Sequence, residues 1–222
     1  ALIYDNGQGV AQDSQRALTW YIQAAERGHI KAQYNLGLKY RVGKDVEQDY
    51  KEALYWYKLA AEQGDEYAQF HLGSMYLLGQ GVAQNNVLSV YWYTQAAEQG
   101  FGEASYTLAE MYMVGQGLTQ DDEMAVYWYA KAAEQGNKNA QFHLGWMYDS
   151  GNLLKQDYKI AVYWYTQAAE QGVASAQFNL GLIYEFGKGV EKDQLLAISL
   201  YRNGAKNGSK GAEDRLSILG YT

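Results

Sequence analysis

The chain has 222 residues, 48% of them hydrophobic, and its 25 acidic residues outnumber 18 Lys and Arg to give a formal net charge of −7. That length can bury a sizeable core, and the acidic balance argues against a duplex nucleic acid as partner. With no cysteine there is neither a disulfide framework nor a thiolate zinc site, and no apolar run approaches the roughly 20 residues that cross a bilayer.

The chain opens at Ala1-Leu2-Ile3-Tyr4 without an initiator Met, so a targeting segment removed from in front of Ala1 fits the sequence. These residues align with the second half of a helix that recurs downstream, and residues 1–28 read as a partial repeat with an apolar, ragged start. From there a period of 36 residues governs everything. Trp-Tyr stands at 20–21, 56–57, 92–93, 128–129 and 164–165, and Leu200-Tyr201 continues the series. Ala-Ala follows four residues after each Trp, and Gly28, Gly64, Gly100, Gly136, Gly172 and Gly208 close the blocks. Full repeats are therefore predicted at 29–64, 65–100, 101–136, 137–172 and 173–208.

Each repeat holds two predicted helices. In the first, helix A, Ala32, Leu36 and Tyr40 form one apolar row at helical spacing, and Gly37 is expected to leave room for a neighbouring backbone. Gly43 and its equivalents end helix A. In helix B, Ala53, Tyr57 and Ala60 share a face, Asp49 with Glu52 matches a capping box, and Asp13, Asn85, Asp121, Asp157 and Asp193 hold the Asp49 position. Of 24 glycines, 20 fall at only four places in the repeat, so each place has a backbone task. Asp45 and Leu153 replace the glycine of the Gly-x-Gly-Val turn, and those two turns are expected to differ in shape. Trp56, Trp92, Trp128 and Trp164 are expected to be largely buried at the junctions between repeats. Residues 209–222 read as a polar capping helix with Asp214 and Arg215 facing outward. No hairpin of this kind can bury its own apolar face, so the whole of 1–222 is predicted to be one stacked array.

Leu-Gly-x-x-Tyr, Gly-x-Gly-Val and Trp-Tyr-x-x-Ala-Ala-x-x-Gly at this period resemble the Sel1-like repeats, relatives of the tetratricopeptide repeats. The resemblance covers essentially the whole chain. It implies an all-α, right-handed superhelix of helical hairpins acting as an adaptor between proteins. It also implies an exported protein, periplasmic or extracellular, of a bacterium, with a role in host interaction. In the related tetratricopeptide arrays the outer side of helix A lines a concave groove.

In that groove the recurring aromatic Tyr34, Phe70, Tyr106, Phe142 and Phe178 suggests packing between successive A helices, while other positions vary and can encode specificity. Trp146 is the one tryptophan outside the Trp-Tyr register, and an exposed tryptophan is a typical binding anchor. With Phe142, Met113, Glu103, Glu110, Asp149 and Glu185 it defines the candidate surface, acidic and aromatic, suited to a protein or peptide with a basic segment. Tyr55, Tyr91, Tyr127 and Tyr163 form a second, convex stripe. Catalytic residues, metal ligands and cofactors are not expected, nor a nucleic acid partner or membrane span, and the chain is expected to be monomeric. His71 and His143 lie two repeats apart, too far to share a metal, and Gly-Gln-Gly-Val at 79–82 lacks the Lys-Ser or Lys-Thr of a phosphate loop. The alternative is a small-ligand receptor or an enzyme with a pocket between repeats.

Overall fold

The computed structural model describes Ala1, Tyr4, Gly9, Ala11 and residues 13–221; Gly7 and most of the segment ahead of Asp13 lie outside the described residues. Among the described residues there are twelve α-helices and no strand, as the hairpin pattern requires. The chain divides into two compact units, Ala1–Gln120 and Asp121–Thr222. The first holds α1 (Ser14–Glu26), α2 (Ile30–Val42), α3 (Tyr50–Glu62), α4 (Glu66–Leu78), α5 (Asn86–Glu98) and α6 (Gly102–Val114). The second holds α7 (Asp122–Glu134), α8 (Lys138–Ser150), α9 (Tyr158–Glu170), α10 (Ala174–Phe186), α11 (Gln194–Lys206) and α12 (Lys210–Ile218). Even-numbered helices from α2 to α10 are the A helices, and the odd-numbered ones are the B helices.

Local chemistry sets the helix ends. Asp49 accepts the backbone N–H groups of Lys51 and Glu52 at 2.8 and 3.2 Å, and Asp13, Asn85, Asp121, Asp157 and Asp193 cap the other B helices in the same way. Each A helix from α2 to α10 ends on a left-handed glycine. The turn that follows departs from expectation. Asp45 (φ 67°) and Leu153 (φ 62°) keep the left-handed backbone that Gly81, Gly117 and Gly189 adopt, so their turns do not change shape. Close packing makes glycine necessary at two of these places: a Cβ at Gly81 would lie 2.4 Å from the Tyr50 carbonyl oxygen, and one at Gly117 2.6 Å from that of Asn86.

Asp45 offsets its strained backbone with an ion pair, its carboxylate accepting from Lys39 Nζ at 2.8 Å. Lys39 is buried where later repeats carry Met75, Met111, Met147 and Ile183. The bond to the Lys39 ammonium holds the Asp45 carboxyl below its ordinary pKa.

The core is built on the tyrosine of each Trp-Tyr pair rather than on the tryptophan. Tyr57, Tyr165 and Tyr201 are fully buried. Their rings lie on the Leu-Gly glycine of the same hairpin: a Cβ at Gly145 would come within 2.5 Å of the Tyr165 ring, and one at Gly37 within 2.8 Å of Tyr57. The glycine thus admits a ring, not a backbone. Trp56 and Trp128 are buried at 8% exposure, Trp92 and Trp164 are only half-buried, and Trp20 on α1 is 51% exposed. Tyr57 is covered from both sides, sharing one buried cluster with Ala53 and Ala60 of its own helix and with Ala68, Leu72 and Met75 of the next A helix.

A glutamine relay, absent from the expectations, links successive repeats. Gln33 donates to the Ala25 carbonyl at 3.1 Å and accepts from Gln63 at 2.7 Å. Gln69 with Gln99, Gln141 with Gln171, and Gln177 with Asn207 repeat the arrangement. Each buried amide is thereby satisfied at both ends, which burial requires. At the end of the second unit Asp214 is exposed as expected, but Arg215 turns inward to pair with Glu185.

Candidate protein-interaction surface

In the first unit the A-helix side chains form a run of aromatic contacts. Tyr34 lies 5.9 Å from Tyr57, 5.8 Å from Tyr67 and 6.0 Å from His71 between ring centroids. Phe70 lies 5.4 Å from Tyr93 and 5.1 Å from Phe101. Tyr34, Phe70, Phe142 and Phe178 thus each touch the buried tyrosine of the following B helix, which accounts for their recurrence. His71 stacks on Tyr57 at 5.2 Å, and burial, reinforced by the Arg41 charge and opposed by Asp65, pushes its pKa down to about 4. Lys31 donates to Asp65 at 2.9 Å and lies over the Tyr67 ring.

The predicted groove residues of this unit all sit on α6. Glu103 and Glu110 are exposed and Met113 is half-buried. Tyr106 between them has its pKa raised by burial and by the neighbouring Glu110 carboxylate.

The second unit carries Phe142, Trp146 and Asp149 on α8 and Glu185 on α10. Phe142 is half-buried against His143 and Tyr165. Trp146, one helical turn further, is 40% exposed. Asp149 accepts from the Tyr165 hydroxyl at 3.3 Å, and Asn179 donates to that hydroxyl at 3.1 Å. Burial and the Asp149 charge push the Tyr165 pKa up. These three α8 residues form one continuous surface of anchor, packed ring and carboxylate.

Glu185 has a different role. Its side chain is 8% exposed, accepts from the Tyr201 hydroxyl at 2.6 Å and is gripped by the Arg215 guanidinium. The Arg215 bond lowers its pKa. Its charge is neutralised inside the unit and adds little to an outer acidic face. The signal was present in Arg215, 30 residues on, but the pairing needs the α12 fold.

Tyr55, Tyr91, Tyr127 and Tyr163 are exposed, each edge-on to the adjacent tryptophan at 4.8 to 5.1 Å. One cavity in the second unit, about 300 Å³, is lined by Thr166, Ala169, Glu170, Gln177, Leu180, Tyr184, Leu196, Leu200 and Asn203. It occupies the place that Trp56 fills in the first unit against Ala25, Leu36 and Tyr40. Leu200 stands in the tryptophan register and is too small for the space. Among the described residues no group of three or more His, Cys, Asp or Glu side chains could hold a metal ion, and no helix is long and apolar enough to cross a membrane.

Comparison with known proteins identifies the repeat. A model of the Sel1 repeat matches residues 1–29, 30–65, 66–101, 102–137, 138–173 and 174–209. Sel1 repeats are typically non-enzymatic scaffolds for protein–protein interaction. A protective antigen of uropathogenic Escherichia coli, c5321, described as displaying this repeat fold, is 38% identical over 98% of the chain with a TM-score of 0.93. A Sel1 repeat protein of Oxalobacter formigenes is 36% identical over 98% of the chain with a TM-score of 0.90. The chain spans 47% and 63% of the lengths of those two proteins. The immunity protein Pa5087 of Pseudomonas aeruginosa, 24% identical over 91% of this chain and 78% of its own with a TM-score of 0.51, shares the fold. No curated protein matches the chain.

Proposed function

The chain belongs to the Sel1 repeat family, and from that membership and the α8 surface we propose that it is a non-enzymatic scaffold that takes a protein partner on the outer face of its A helices. The observation that carries this reading is Trp146. Its indole is 40% exposed on a regular helix, within reach of a partner that would bury it. Beside it Phe142 is fixed by packing and Asp149 offers a carboxylate, a hot-spot arrangement of aromatic anchor with polar rim. In the first unit, taken by itself, Glu103 and Glu110 are exposed on α6. A partner segment with Lys or Arg residues beside an apolar side chain suits these groups. The charges set encounter rate and choice of partner, and Trp146 supplies buried area. The partner meets the chain as a single copy, and nucleic acid is not its ligand.

The resemblance to a protective antigen supports placing the chain outside the cytoplasm of a bacterium, in the periplasm or beyond, in contact with a host. Fractionation of the source cells tests this, and recovery with cytoplasmic markers alone would count against it.

A displayed library of random peptides selected on the intact chain tests the surface. Selected binders should be rich in Lys and Arg, lose about tenfold or more in affinity to Trp146→Ala, and weaken as salt rises. Binders that are indifferent both to Trp146→Ala and to salt would move the site to the exposed tyrosine stripe.

A further inference from the structure

Tyr57 and Tyr201 occupy the same place in their repeats, and both are fully buried. At Tyr201 the polar groups close on one another: its hydroxyl donates to Glu185 at 2.6 Å, and Arg215 donates to the same carboxylate through Nε at 2.9 Å and through Nη2. Tyrosine, arginine and carboxylate form a complete set of two donors and one acceptor. At Tyr57 the set is incomplete. Arg41 stands where the other repeat has Glu185, so tyrosine and arginine are present and the carboxylate is missing. The Tyr57 hydroxyl and Arg41 Nε are both buried; the guanidinium lies against the hydroxyl, but neither Nε nor the hydroxyl makes a hydrogen bond of good geometry, and no acceptor meets either donor. Buried donors are almost always paired, so two orphans side by side call for an acceptor.

The surroundings do not supply one. Asp65, whose charge reaches His71 and Tyr34, is 1% exposed and committed to Lys31 Nζ at 2.9 Å and the Ala68 N–H at 2.9 Å. His71, stacked on Tyr57, is held neutral at ordinary pH by burial. The Arg41 charge is therefore unbalanced locally, in a chain whose net charge is −7.

We propose that Arg41 and Tyr57 form a binding site for a carboxylate carried by a polypeptide partner, which accepts from the guanidinium and the phenol as Glu185 accepts from Arg215 and Tyr201. Arg41 lies in the last turn of α2 and is only partly buried, so its guanidinium can swing outward with the incoming oxygen and uncover the hydroxyl. Tyr34 and His71, both within reach of the Arg41 charge, carry Tyr67 and Phe70 against them, an aromatic bed for the residues flanking that carboxylate, which favours a peptide over a free acid. The site lies in the first unit, apart from Trp146, and calls for the opposite charge on the partner.

An NMR titration of the ¹⁵N-labelled chain tests it, following the Arg41 Nε–H and the backbone amides of α2 and α3. The probes are acetyl-Gly-Glu-Gly-amide, its Gln counterpart, and acetyl-Gly-Gly-Gly with a free carboxylate. A saturable shift with a carboxylate probe and none with the Gln peptide is expected, and the probe that binds tells a side-chain from a C-terminal carboxylate. Arg41→Leu, which installs the residue found at Leu77, and Tyr57→Phe should each weaken binding by about tenfold or more. The proposal is overturned if neither carboxylate probe gives a saturable shift, if the Gln peptide binds equally, or if both variants keep full affinity with unchanged circular dichroism.

Discussion

Leu200→Trp should stabilise the second unit, because it restores the residue that the repeat carries at 56, 92, 128 and 164. The space exists: the cavity beside Leu200 measures about 300 Å³. Its walls Ala169, Leu180 and Tyr184 are the counterparts of Ala25, Leu36 and Tyr40, which enclose Trp56. A buried tryptophan removes about 200 Å² from water. Taking about 60 Å² of that as new apolar area beyond leucine gives about 1.5 kcal/mol at ~25 cal/mol per Å². The indole N–H is the opposing cost, since Trp56 and Trp128 leave theirs unpaired. At 200 that cost is smaller, because Asn203 in the cavity wall, where the first unit has Leu59, offers an amide oxygen. A gain of about 1.5 kcal/mol raises the melting temperature by about 3–6 °C for a chain of this length. Paired thermal and urea unfolding curves measure it. The reverse change, Trp56→Leu, should open the matching cavity and lower stability by about 2 kcal/mol. A Leu200→Trp chain that folds but melts at or below the parent temperature would refute the correspondence between the two sites.

Leu153→Gly should stabilise by about 1 kcal/mol, because a left-handed backbone costs a side chain about 1–2 kcal/mol and glycine's looser unfolded chain returns only part of that; chemical denaturation reads it. Tyr201→Phe should cost about 2 kcal/mol through loss of its bond to the Glu185 carboxylate, whereas Tyr57→Phe, which removes an unpaired hydroxyl, should be neutral or stabilising in the same assay. His71 binds a proton less readily when folded, with its pKa at about 4 against 6.5 unfolded, so its contribution to stability is complete above pH 6.5 and is lost as pH falls through about 4. His71→Asn, which places there the residue found at Asn35 and Asn179, should flatten stability against pH across that window, and an unchanged slope would show that the imidazole is not the group responsible.

The repeat made the hairpins and their caps readable because each depends on local chemistry: an Asp before a helix, a glycine after it, apolar residues at helical spacing. What the period concealed is how a departure at one place is answered at another. Lys39 looks like a surface lysine until Asp45 is seen to face it, and Glu185 looks like groove charge until Arg215 folds back on it. Leu200 is visibly a substitution in the tryptophan register, yet the space it leaves appears only when Thr166 and Asn203 are seen to replace Ile22 and Leu59 around it. Gln33, Gln69, Gln141 and Gln177 recur as strictly as the glycines, but an amide reads as surface polarity until its carbonyl partner in the preceding helix is located. Trp146 differs from these departures. Its indole stays 40% exposed on an A helix, where a partner under the proposed function would bury it. Arg41 and Tyr57 carry the same argument in polar form. Their counterparts at Arg215 and Tyr201 are satisfied by Glu185, and the acceptor missing from the first unit has to come with a partner.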